Sequence, residues 1–573
     1  MKNVSPYLIV VASTLFVSVA QAQFVPGGVS SAGLTSIVPD RPVWWNQTGN
    51  YYTNGPINNV ADEAINLANW EPNISVLSDC IFLVGANTYA DDGALANQNF
   101  VVTLQPVAGG APKAVYEFYT DTNTPFKGPI NLSRQNGNPQ RVAGDKRYGA
   151  VNYITAAESS PGQLGEFQSD TRWTSNLIYQ ANNRYVAVQP FSLNTSTLVP
   201  TPLYKAFDAV YGNFVDLVNP PLTQPEVSRT GGTVACLDNG NFVVVIHDKT
   251  AFSNPAGNVT TFGIVTPAGV VVKTNTLVDP RDIWDNVCAY KGGFAVRCHD
   301  TIYFHDNAGN LQGSSPQSSS GFVFDTGRGD GTRIASDIRS PYVFIAAKTP
   351  DAEPNELTLM VWDSRTTNFV TSAVISQTDT NLHDLDRVNI AADALDRVCV
   401  AYELKPDKVV FPLFQVAARV MAFDGTNITF LTPTFFPFLN HDVDTNNILG
   451  YRTFRPSVAM TTRQICIAAK GEINSTNNPA SGPDTTTETT VYTVISHPAP
   501  TPQLKVTLSG SNVVLSWDER LGPFTLQSTP AISPASWADV SPQPPIVAVG
   551  GQNTMTVAQG SGNVYFRLTK NCP

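Results

Sequence analysis

Charge is scarce in this chain. Asp, Glu, Lys and Arg make up 14% of its 573 residues, and 46 acidic against 35 basic side chains leave a net charge of −11. Positive charge this sparse, with no basic stripe, lacks the clustered Lys and Arg that phosphates demand, so nucleic acid is excluded as a partner. Long apolar runs are missing too: past Ala20 no segment approaches the roughly 20 apolar residues of a spanning helix, and no membrane span is expected. The seven cysteines form no close C-x-x-C pair, and an odd number excludes a fully paired disulfide framework. No G-x-S-x-G, H-E-x-x-H, phosphate-loop or dinucleotide fingerprint occurs, so no reaction is written in a local motif. That leaves open an active site assembled from separate repeats.

What is present begins with a leader. Lys2 precedes an uncharged, mostly apolar run from Tyr7 to Ala20, and Ala20-Gln21-Ala22 places small residues where a signal peptidase reads. Residues 1–22 therefore read as a signal peptide, with a secreted, cell-surface or periplasmic protein starting near Gln23. Asn, Thr, Ser, Gly and Pro fill the remaining surface, a composition that favours turns and strand edges over helices. The expected fold class is all-β.

A hairpin pattern recurs along the chain: a short strand with a small or apolar centre, a polar turn, then an apolar strand. It starts at Ser75, Ser175, Gly232, Asp285, Thr332, Arg387 and Pro456. In several copies a weaker pair of strands follows, as in TTFGIVTPAGVVVKTN and LTLMVWDSRTTNFVTSAV, with turn chemistry suited to hairpins. Apart from the long first interval, the spacing fits four-stranded propeller blades. The expectation is a β-propeller over 74–497, seven-bladed with six or eight as alternatives, after an N-terminal extension at 23–73. The stretch from Pro125 to Phe167 reads as an insertion or a degenerate blade. Cys288 and Cys298 flank one hairpin turn and are the candidate disulfide.

The segment 498–502, rich in Pro, is a stiff linker. Beyond it, 503–573 alternates apolar and polar residues as a small β-sandwich does, with Trp517, Phe524, Leu526, Trp537, Val540, Tyr565 and Leu568 as its expected core. Its order of LSW, LQST, W..V and a terminal YFRL resembles a fibronectin-III-like C-terminal module of secreted bacterial proteins. The resemblance implies a spacer or surface-attachment role and carries no catalytic residue.

The loops joining one blade to the next face one end of a propeller, and here nearly every such connection supplies an Arg. Arg172, Trp173, Arg281, Trp284, Arg328, Asp330, Arg387, Arg452 and Phe454 are the candidate ligand-binding residues, since Arg forks match carboxylates or sulfates and aromatic rings stack on sugars. The same side chains could instead pair across blades and close the ring. Five of the six histidines precede an Asp. His247, His299, His383 and His441 are the candidate ligands of a divalent metal, or acid and base groups; the alternative is a turn-forming dipeptide inherited with the repeat. No other cofactor is suggested.

Three weaker patterns complete the inventory. Arg328-Gly329-Asp330 is an adhesion-type tripeptide. Asp442-x-Asp444-x-Asn446 opens like a calcium loop, but Asn447 replaces the turn Gly and Thr453 the twelfth-position acid. Ser169–Thr174 resembles the Asp-box turn of sialidase-like propellers without its Gly or a second copy, and implies no sialidase. The leading expectation is a surface protein that recognises a glycan, another anionic ligand or a surface protein through one propeller face. A polysaccharide hydrolase or lyase with a His/Asp funnel is the alternative, and a structural surface protein the third.

Overall fold

The computed structural model describes residues 34–36, 73–77, 81–88, 99–106, 114–119, 130–132, 142–143, 146–156, 184–194, 200–202, 205–208, 213–216, 228–249, 259–266, 270–277, 286–298, 300–322, 332–349, 356–377, 385–404, 415–438, 451–474, 486–497, 504–521, 524–558 and 564–569. Among them the regular structure is all β, apart from short 3-10 turns such as Gln317–Ser320 and Glu519–Leu521. No described helix is long and apolar enough to cross a membrane. The chain divides into two compact units, one spanning Phe24–Pro498 and one containing Ala499–Pro573.

Among the described residues the larger unit holds seven antiparallel sheets that follow one another in sequence. The first covers 73–119, the second 130–216, the third 228–277, the fourth 286–316, the fifth 332–377 and the sixth 385–430. The seventh joins Tyr451–Met460, Gln464–Asn474 and Thr486–Ser496, and takes its fourth strand, Leu34–Ser36, from the other end of the unit. Six sheets have four strands, five of them in meander order, whereas the second has seven. Six of the seven recurring hairpins are the first two strands of a sheet. The copy from Ser175 behaves differently: Arg184–Asn194 pairs with Lys146–Ala156 and Lys205–Asp208. The expected insertion at 125–167 therefore supplies strands to the second sheet.

Burial follows strand position. Gly293–Cys298 and Arg397–Leu404, both second strands, are buried along their whole length, as continuous apolar runs covered on both faces must be. Leu311–Pro316 and Asn368–Gln377, both fourth strands, are largely exposed. First strands of successive sheets from the third to the seventh lie side by side. Ser228–Cys236 of the third also adjoins Lys146–Ala156 of the second, and Asn73–Leu77 of the first adjoins Ile130–Leu132 of the second.

Alternation sends each strand's side chains to two neighbours. On the fourth sheet Phe294, Val296 and Cys298 pack with Val245, Phe262 and Ile264 of the third, while Cys288, Ala295 and Phe304 pack with Val343, Ile345 and Trp362 of the fifth. Full burial of each such side chain contributes roughly 1.5–3 kcal/mol. The same alternation rules out the expected disulfide: Cys288 and Cys298 are buried on opposite faces of the sheet. The first sheet packs on the seventh, where Ile74 and Phe82 meet Ala459, Cys466, Ala468 and Tyr492, and Ile74 N donates to Ser457 Oγ at 3.1 Å.

A chain of hydrogen bonds ties together the turns between first and second strands. Gly292 N of the fourth sheet donates to Asp238 Oδ2 of the third at 2.8 Å. Lys291 N donates to Ser340 O of the fifth at 2.8 Å, and Ser340 Oγ donates to Asp396 of the sixth. Arg397 Nη2 of the sixth donates to Thr462 O of the seventh at 2.8 Å. Arg397 is itself held by buried Asp393, whose Oδ2 lies 2.6 Å from Nη2 and 2.8 Å from Nε. The other oxygen, Oδ1, accepts from Leu395 N at 2.9 Å and Arg397 N at 3.1 Å.

The smaller unit is built from two sheets. One orders Lys505–Ser509, Asn512–Asp518, Gln552–Ala558 and Val547–Val549; the other orders Ala538–Asp539, Thr525–Thr529 and Tyr565–Thr569. Val513, Leu515, Trp517, Leu526 and Met555 are buried, and Phe524 meets the Trp517 ring edge-on at 5.8 Å. Trp537, Val540, Tyr565 and Leu568, expected in that core, are only half-buried. Trp537 instead lies beneath Arg567 on the outside of the smaller sheet.

Two predictions follow from these interiors. Arg397→Ala leaves Asp393 buried without its partner and is expected to cost about 3–5 kcal/mol in chemical denaturation, while Asp393→Leu with Arg397→Met recovers most of that loss. His305 is stacked on Phe294, edge-on to Phe262 and fully buried; burial, with Lys273 nearby, lowers its pKa from 6.5 to about 4. The folded state therefore favours the neutral ring. Its contribution is complete above pH 6.5 and is lost as pH falls towards 4, by up to about 3 kcal/mol. His305→Phe should flatten that part of the stability profile; an unchanged acid slope would contradict it. His497, lowered by burial and Arg397, supplies a second acid-sensitive term that this variant leaves in place.

Candidate functional site

The ends of the hairpins opposite the stitched turns have a different chemistry. In three sheets the first strand breaks register near its start: between Arg229 and Gly231 in the third, Asp386 and Val388 in the sixth, and Phe454 and Ser457 in the seventh. An extra residue at such a bulge bends the strand and re-aims its side chains. The extra residue in the sixth sheet is Arg387, which adopts a positive φ of 24°, a region that residues other than glycine seldom enter.

Charge gathers beside these bulges. The ladder opposes Arg229 to Asp248, Asp386 to Glu403, Arg452 to Glu472, and Phe454 to Lys470. His247 stands opposite Gly231, one step below Asp248. Glu403 is buried, and its Oε1 lies 3.6 Å from Nη1 of Arg387, whose side chain is 22% exposed. The fourth and fifth sheets contribute buried Arg297 and Lys348 towards the same end of their second strands. Polar groups bridge this end between neighbours: Thr453 Oγ1 of the seventh sheet accepts from Val416 N of the sixth at 2.8 Å and donates to Gln415 Oε1 at 3.2 Å.

This arrangement offers donors and acceptors of both signs on adjoining sheets. Directly opposed residues of an antiparallel pair have Cβ atoms about 5 Å apart, and Asp386 and Glu403 occupy such positions, with Arg387 as the extra residue beside them. A guanidinium beside a carboxylate favours its ionised form, and Arg387 lies against Glu403.

Of the residues expected at the site, Arg387, Arg452, Phe454 and His247 lie in strands Leu385–Ala392, Tyr451–Met460 and Phe242–Lys249, not in the loops where the repeat pattern put them. The bulges account for the shift, because each strand continues past its break instead of ending there. Arg172, Trp173, Arg281, Trp284, Arg328, Asp330, His299, His383 and His441 lie outside the described residues, as do the adhesion-type tripeptide and the opening of the calcium-like loop. Thr453, the twelfth position of that loop, is a buried strand residue opposite Gly471 and is not placed as a cation ligand. Among the described residues no group of three or more His, Cys, Asp or Glu could hold a metal ion. Where His305-Asp306 is described, the Asp serves its turn: its Oδ1 accepts from Ala308 N at 2.9 Å and Asn310 N at 2.8 Å.

The charged positions at the strand ends carry a signal of their own in the sequence. In the third to the seventh sheets the apolar second strand runs out on charged or titratable residues, in VIHD, VRCHD, AAK, YE and AAKGE.

No family model and no curated protein matches the chain. Among solved structures, it is similar to the polysaccharide lyase Uly1, at 9% identity and TM-score 0.37, over 83% of this chain and 97% of that one. It is also similar to the NanB sialidase from Streptococcus pneumoniae, at 10% identity and TM-score 0.37, over 74% and 68%. A third is the acylaminoacyl peptidase of Pyrococcus horikoshii, at 8% identity and TM-score 0.34, over 80% and 59%. At such identities the activities of these proteins remain theirs.

Proposed function

We propose that this chain is a secreted, seven-bladed β-propeller protein that acts on an extracellular polysaccharide at the charged end of its hairpins. Support for the propeller reading comes from seven successive sheets with buried inner and exposed outer strands, from the packing of the first sheet on the seventh, and from Leu34–Ser36 completing the last sheet. Support for the site comes from one observation above the others: Asp386 and Glu403 stand directly opposed, with bulged Arg387 against the buried carboxylate.

In this reading the opposed charges of the third, sixth and seventh sheets hold the glycan's hydroxyl and acidic groups. Asp386 and Glu403 supply the acid and base for hydrolysis or elimination, and Arg387 sets which of them is ionised. The smaller unit serves attachment, and residues 1–22 direct export. A second reading, binding without turnover, is favoured by the Arg387–Glu403 pair itself, since a carboxylate held in an ion pair is less available as a base.

The test is incubation of the purified chain with neutral and acidic polysaccharides, followed by assays for new reducing ends and unsaturated products. Turnover that falls on the order of 10²–10⁴-fold in Glu403→Gln, with binding retained, is the expected result. Binding that weakens in Arg387→Ala with no product from any substrate would select the binding reading. Neither binding nor product would overturn both.

A further inference from the structure

We infer that the outer face of the three-stranded sheet in the smaller unit binds a neutral polysaccharide. The face carries a row of side chains running across all three strands. Leu526 is buried in the sandwich, so its neighbour Gln527 faces outward. Gln527 stands directly opposite Arg567 on one side and Asp539 on the other. Neighbouring strands are about 4.8 Å apart, so the row extends about 10 Å.

The row is held rigid by its own contacts. Arg567 Nε donates to Gln527 Oε1 at 2.7 Å, and Gln527 Nε2 donates to Asp539 Oδ1 at 2.8 Å. The guanidinium lies over the Trp537 ring, 4.5 Å from its centroid. The oxygen and the nitrogen of the Gln527 amide are thereby both engaged, and the fork of Arg567 is fixed in orientation. Among the described residues, the two Nη nitrogens of Arg567 and Oδ2 of Asp539 have no protein partner. Asp539 is exposed, and Gln527, Arg567 and Trp537 are half-buried.

A fixed donor fork at one end and a fixed acceptor at the other complement a ligand whose groups both donate and accept, as sugar hydroxyls do. The charges exclude the other choice. An anion would gain from Arg567 but would meet the Asp539 carboxylate two strands away, whereas a neutral polyol meets no like charge. Pre-orientation also lowers the ordering cost that long Arg and Gln side chains otherwise impose on binding. Side-chain hydrogen bonds this open to water contribute little to folding, so the row is not accounted for by stability. Thr525 and Thr569, directly opposed one step along the same face, extend it with two further hydroxyls.

This site is separate from the charged hairpin ends and does not depend on their activity. It is tested on the full chain by hydrogen–deuterium exchange with laminarin and xylan as neutral probes and heparin as the anionic one. Laminarin or xylan is expected to slow exchange in 525–529 and 565–569. Arg567→Met, which keeps the contact with Trp537, and Arg567→Lys, which keeps the charge without the fork, should each raise the concentration for half-protection at least roughly tenfold. Glu403→Gln should leave it unchanged. Absence of protection in these segments with both neutral probes, protection by heparin alone, or equal protection of the Arg567 variants would overturn the inference.

Discussion

Arg397 holds two sheets through one guanidinium. Its Nε and Nη2 contact Asp393 within its own turn, and Nη2 also reaches the carbonyl of Thr462 in the next. Removing a carboxylate and a guanidinium from water is expensive, and a buried pair returns that cost only when its remaining donors and acceptors are used. Here they are: both backbone N–H groups of the Asp393 turn point at the carboxylate, and the neighbouring sheet takes the outward donor. The pair therefore fixes the angle at which the sixth sheet meets the seventh, and the seventh carries both the first strand of the unit and the contact with the first sheet. Sheets joined only by apolar faces could slide; the linked turns remove that freedom one junction at a time.

The other end of the hairpins is also bridged, by Thr453 with Val416 and Gln415, but it carries no such chain of linked turns among the described residues. With position set by the stitched turns, the first strands can carry bulges and place charged side chains where a purely structural repeat would place apolar ones. Burial of Arg297, Lys348 and Glu403 at such positions costs stability that the interior between the sheets has to offset. The aromatic packing of Phe262, Phe294 and His305 lies nearer the stitched end, where the neutral ring fills space without using its nitrogens.

Much of this organisation was legible in the sequence. Runs such as FAVRC and VCVAYE, continuous and apolar, marked strands buried on both faces, and the recurrence of the hairpin located most of the sheets. Strand register was harder to read. Arg387, Arg452 and Phe454 looked like loop residues because a bulge is invisible in composition: one additional residue leaves the apolar pattern intact while shifting which neighbour each side chain meets. The Cys288–Cys298 pairing failed for a related reason, since sequence spacing gives the length of a hairpin but not the face to which each thiol points. The second sheet was misread because its pairing runs between segments far apart in the chain, which no local periodicity records.

The smaller unit shows how limited a core can be and still define two faces. Trp517, Leu526 and Met555 are buried, whereas Trp537, equally aromatic, lies half-exposed beneath Arg567. A hydrophobicity count treats both tryptophans alike. What separates them is alternation: the strand that turns Leu526 inward turns Gln527 outward, and Gln527 then orders Arg567 and Asp539 across the sheet. An indole placed where it keeps a guanidinium flat serves to orient a donor fork, a role that core packing does not require. The same two-residue period that builds the interior thus generates, on the opposite side, an ordered polar surface.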